Sequence, residues 1–73
     1  MNTIEQLKDD MRFALENQEE FKYSLCPMLR YVAALNPEAT KKEFVQAMIH
    51  FEVNPKTAAI QYAASRKFDR ENY

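Results

Sequence analysis

A chain of 73 residues with formal net charge −1, 47% hydrophobic residues, one cysteine and no glycine makes a single domain and excludes several classes of function at once. Gly-rich phosphate loops cannot be built, tight two-residue hairpins lack the Asn-Gly or Gly-X pairs they depend on, and every turn forgoes the residue that most easily takes positive φ. With no Trp and little alternating β-branched sequence, the expected fold is all-α, a compact bundle of about four helices ending in a helix-turn-helix-like pair.

From the N-terminus, Ile4, Leu7, Met11 and Ala14 continue as Gln18, Phe21, Leu25, Met28, Val32 and Leu35, a 4-3 spacing that keeps one apolar seam on one face for as long as helix persists. Pro27 would remove a hydrogen bond and clash with the preceding turn inside one long helix, so a break is expected. Ser24 as N-cap places Pro27 in a first turn, where its missing N–H costs little; Asn17, with Glu20 three residues on, is a second candidate. The Ser24 break predicts helices over about 3–22 and 25–35.

Asn36-Pro37 should end the second helix, with Asn in the left-handed conformation and Pro unable to continue the ladder. Thr40-Lys41-Lys42-Glu43 reads as a capping box ahead of a helix on which Phe44, Val45, Ala47, Met48, Ile49 and Phe51 cover one side, and Lys42, Glu43, Gln46 and His50 the other. Asn54-Pro55 then opens a fourth helix running to about residue 68. Residues 1–36 would form a helical support or dimerisation hairpin, and residues 37–70 the helix-turn-helix-like pair.

The short connection from Glu52 to Asn54 has the spacing of a helix-turn-helix, whose second helix can enter the DNA major groove; a plain helical hairpin has the same spacing. On a 100° wheel Lys56, Arg66, Lys67 and Arg70 surround Ala59 and Ala63. Small residues admit close approach of the backbone while flanking cations neutralise phosphates. The alternative is that cations near a helix C-terminus only favour its dipole and solvate the surface.

Thr40-x-x-Glu43-Phe44-Val45-x-Ala47, followed by Val53-Asn54-Pro55-x-Thr57-Ala58, resembles the helix-turn-helix unit of small phage and plasmid regulators over Thr40 to Lys67, under half the chain. The resemblance implies double-stranded DNA as partner and a role in transcriptional control, with Lys56, Thr57 and Ile60 facing base edges and Lys42, Arg66 and Lys67 near phosphates. Glu52 stands at the turn position usually held by Gly, and Gln61 where an aliphatic residue is common.

From residue 1 to 36 the chain carries four basic residues against six acidic ones, so this half would point away from DNA. Its apolar seam could form a homodimer through the N-terminal helix, or pack on the protein's own core. A rival reading is a small inhibitor or adaptor acting on a host protein through Met11, Phe13, Tyr23 and Tyr31, which the near-neutral total charge favours. Arg66 and Lys67 tied against the acidic half would favour that rival.

Enzymatic activity is not expected. Cys26 and His50, the single residues of their types, have no spacing that makes an activated thiol or a metal site, and neither a catalytic set nor a cofactor is expected. Adjacent Asp9-Asp10 and Glu19-Glu20 diverge on a helix. The lone thiol and the acidic residues Glu5, Asp9 and Asp10, in place of a basic-then-apolar leader, lead to the expectation of a cytoplasmic protein.

Overall fold

Asn2 opens the first helix by accepting a hydrogen bond from the Glu5 backbone N–H at 2.8 Å, a side-chain cap for one of the four unpaired donors at a helix start. In the computed structural model, which describes residues 2–71 with side chains through Lys67, the helices are α1 (Thr3–Glu16), α2 (Leu25–Leu35), α3 (Lys41–Ile49) and α4 (Pro55–Glu71). A 3-10 turn at Gln18–Phe21 lies between α1 and α2. The chain is thus an all-α bundle of four helices.

The expected helix over 3–22 is shorter, because both candidate breaks operate. Asn17 ends α1, its side-chain amide donating to the Phe13 carbonyl at 2.8 Å. Lys22 and Tyr23 then take left-handed conformations with φ of 55° and 57°, reversing the chain without glycine. Ser24 is the N-cap position of α2, although its hydroxyl makes no capping bond, and Pro27 falls in the first turn.

Asn36 corrects a second expectation. Its φ is −125°, outside the left-handed region, and it closes α2 through its side chain instead. The amide donates to the Val32 carbonyl at 2.9 Å and to the Asp10 carboxylate at 2.8 Å, tying the end of α2 to α1. The third helix begins as expected, with Thr40 and Glu43 forming a reciprocal capping box.

Each helix packs on two neighbours, α1 and α4 both lying against α2 and α3. The core lies where the four meet. It consists of Leu7, Met11 and Ala14 from α1, Met28, Leu29, Val32 and Ala33 from α2, Ala39 from the α2–α3 connection, Phe44, Ala47 and Met48 from α3, Val53 from the α3–α4 connection and Ala58 from α4. Burial of each large side chain contributes about 1.5–3 kcal/mol. The α1 part of the seam, Leu7, Met11 and Ala14, is therefore occupied by the protein's own core, whereas Leu25 and Leu35 farther along it are exposed. Among the described residues, no helix is long and apolar enough to cross a membrane.

Candidate nucleic-acid interface

The connection from α3 to α4 sets the direction in which α4 leaves the core. His50 continues the helical conformation, and Phe51 and Glu52 donate to the Met48 and Ile49 carbonyls at 2.9 Å. Glu52 then adopts φ 63°, the left-handed geometry that glycine takes most easily. Val53 follows, buried, with its N–H on the Met48 carbonyl at 3.3 Å. Asn54 starts α4 by accepting from the Lys56 N–H at 2.8 Å, and Pro55 occupies the first helical position.

A Cβ in the left-handed region costs about 1–2 kcal/mol, whereas glycine adds chain entropy to the unfolded state. Glu52→Gly is therefore expected to stabilise the protein by about 0.5–1 kcal/mol, raising the thermal midpoint by roughly 2–8 °C. A thermal melt followed by circular dichroism checks this; a lower midpoint would contradict the geometry.

This turn divides α4 into two faces. Ala58 is buried and Gln61, Tyr62 and Arg66 face the rest of the bundle, while Lys56, Ile60, Ala63 and Lys67 are exposed at successive helical turns. Ile60 is 63% exposed, a large aliphatic side chain in water. Thr57 and Ala59 flank this strip, half-buried.

Beside the strip, α3 and α4 enclose an open cleft of about 670 Å³ lined by Lys41, Lys42, Val45, Gln46, Ile49, Pro55 and Ala59. Val45 is half-buried and Ile49 is 49% exposed. The apolar arc of α3 is thus wider than the core it covers, and the surplus lines this cleft. Lys41 and Lys42 stand at its rim on the first turn of α3. The nearby Glu43 carboxylate is turned back on Thr40, accepting from its backbone N–H at 2.9 Å.

Arg66 corrects the arc of cations read from the helical wheel. Its guanidinium donates to the carbonyls of Ala33 and Asn36 at 2.9 Å and of Ala39 at 3.2 Å, and it lies 4.5 Å from the Tyr62 ring centroid. Tyr62 also donates its hydroxyl to the Ala39 carbonyl at 2.8 Å. A fixed cation at the C-terminal end of α2 complements the dipole there, so Arg66 is withdrawn from any phosphate role. It is tied to backbone carbonyls, not to carboxylates of the acidic half. Arg70 lies outside the residues whose side chains are described.

Gln61, placed where an aliphatic residue is common, accepts from the Arg30 guanidinium at 2.8 Å and so links α4 to α2. Of the residues considered for protein binding, Met11 is fully buried and cannot be an interface, and Tyr31 is half-buried against Phe21, with ring centroids 5.1 Å apart. Phe13 and Tyr23 are 52% and 68% exposed.

His50 stands at the end of α3, its ring edge-on to Phe51 at 5.2 Å, and Cys26 is half-buried in the first turn of α2. Among the described residues, no three His, Cys, Asp or Glu side chains converge as a metal-binding group. Compared with protein-family models, curated proteins and solved structures, the chain matches none.

Proposed function

We propose that this protein binds double-stranded DNA through the α3–α4 pair, with the N-terminal half of α4 in the major groove, and acts in transcriptional control. One observation carries the reading. The exposed strip of α4 beginning at Lys56 and the cationic first turn of α3 border a single surface, since Lys41 and Lys42 line the same cleft as Pro55 and Ala59. A helix entering the major groove needs its N-terminal residues free to reach bases and cations beside it to meet phosphates. Ile60 meets the first need, and Lys41, Lys42 and Lys56, all exposed, the second.

Over Thr40 to Lys67 the chain has five basic residues against Glu43 and Glu52, so the pair is cationic within a near-neutral protein. Three lysines reaching phosphates, Lys41, Lys42 and Lys56, give an expected slope of about −3 for log K against log salt concentration. Lys56→Ala and Lys42→Ala should each reduce that slope by about one unit. A fluorescence-anisotropy titration of a labelled duplex between low and physiological salt measures this, and absence of binding at low salt refutes the reading.

The rival, a protein-binding module, is favoured by one feature, the exposure of Phe13 and Tyr23 on the acidic half. It predicts a stoichiometric protein partner that Phe13→Ala or Tyr23→Ala releases with the fold intact.

A further inference from the structure

We infer that the base edges read by α4 are thymine methyl groups, so that the DNA bound is A·T-containing duplex recognised by apolar contact rather than by hydrogen bonds. The inference rests on the DNA-binding reading above and names the feature its central strip selects. Beyond Lys56, the exposed strip of α4 carries Ile60 and then Ala63 before Lys67, with Ala59 beside it. None of these three side chains can donate or accept a hydrogen bond.

In the major groove, guanine offers N7 and O6 acceptors, cytosine an amino donor and adenine one of each, whereas thymine adds a C5 methyl to its O4 acceptor. Ile60 set against guanine or cytosine would strip water from polar atoms and return no partner. Against thymine it meets a methyl group. Charge fits the same occupant, because Lys56 starts the strip and Lys41 and Lys42 border the cleft beside it. The alanines let the helix backbone descend far enough for Ile60 to reach the groove floor.

The experiment compares three 20-base-pair duplexes at low salt: alternating dA-dT, alternating dA-dU, which differs only by loss of the methyl, and alternating dG-dC. The wild type should bind the thymine duplex at least about four-fold more tightly than the uracil duplex, the factor for one methyl-sized apolar contact, with the dG-dC duplex weakest. Ile60→Ala should bring the thymine and uracil affinities together while leaving the salt slope unchanged. The variant replaces an exposed side chain, and its melting temperature verifies that it folds.

Equal wild-type affinity for the thymine and uracil duplexes overturns the inference while leaving DNA binding intact. Thymine preference that persists in Ile60→Ala overturns the assignment to this strip. Absence of binding to all three duplexes overturns the DNA reading and the inference together. Concentration-dependent self-association without DNA, lost in Ile60→Ala, would assign the strip to a second copy of the chain and overturn it as well.

Discussion

Phe44→Ala is expected to lower the unfolding free energy by about 3–5 kcal/mol, the sum of lost transfer energy and the cavity left behind. Phe44 heads the fully buried side chains by volume. It projects from α3 into the core and its ring lies 5.7 Å from that of Tyr62 on α4, so it joins the helix-turn-helix-like pair from within. A protein of this length has roughly 4–11 kcal/mol of total stability, and the substitution removes much of it. The neighbours are pinned by caps and side-chain bonds, which limits collapse into the void. Phe44→Leu, which keeps most of the apolar volume, should cost about 1–1.5 kcal/mol. Urea unfolding measures both: the midpoint should fall in that order while the slope with denaturant stays constant. A cost below about 1 kcal/mol for the alanine variant would mean that the core is not organised around this ring.

The starts of α3 and α4 were legible in the sequence because short-range chemistry defines them. Thr40 with Glu43, and Asn54 with Pro55, satisfy or remove orphan donors within three residues, and no distant contact is needed. The break between α1 and α2 was ambiguous for the same reason, as Asn17 and Ser24 are both good local signals and the chain uses both. What replaces glycine was not legible. Asn36 was the local candidate for a left-handed residue, but Asp10 and the Val32 carbonyl engage its side chain, while Lys22, Tyr23 and Glu52 take positive φ. Their conformations follow from where the helices must go to bury Met28, Leu29 and Val53, which is information from the whole core.

The site divides in the same way. A helical wheel puts Lys56 on the cationic arc, and it stands exposed; Ile60, which the helix-turn-helix resemblance rather than the arc set toward base edges, is exposed beside it. A wheel cannot tell how much of an apolar arc a neighbour will cover, so the cleft beside Val45 and Ile49 was missed; the excess of apolar residues on a short helix was the available signal. Nor does a wheel follow a long side chain back along its own helix. Tyr62 and Arg66, four residues apart, were the only hint of the stacked pair that reaches carbonyls some 30 residues distant in sequence.

That pair sets the last prediction. Arg66→Ala removes three hydrogen bonds from a charged donor to backbone oxygens at 2.9–3.2 Å and the cation stacked on Tyr62. Bonds to charged groups contribute about 1.5–3 kcal/mol each when well formed. Here one half-buried guanidinium serves all three, and water can reach part of what it leaves, so the expected loss is about 2–3 kcal/mol. For a domain of this size the thermal midpoint should drop by roughly 10–20 °C. Arg66→Lys keeps the charge at the C-terminal end of α2 but cannot fork to three acceptors, and should recover about half of the loss. DNA titration separates this role from phosphate binding. At a temperature where the variant remains folded, Arg66→Ala should leave the salt slope at its wild-type value, whereas Lys56→Ala lowers it by about one unit and leaves the melting temperature within about 2 °C. A reduced slope in folded Arg66→Ala would mean that the guanidinium leaves its carbonyls to meet DNA. The opposite pattern would confine its work to holding α4 against the end of α2, with Lys56 standing clear on the outer face of the same helix.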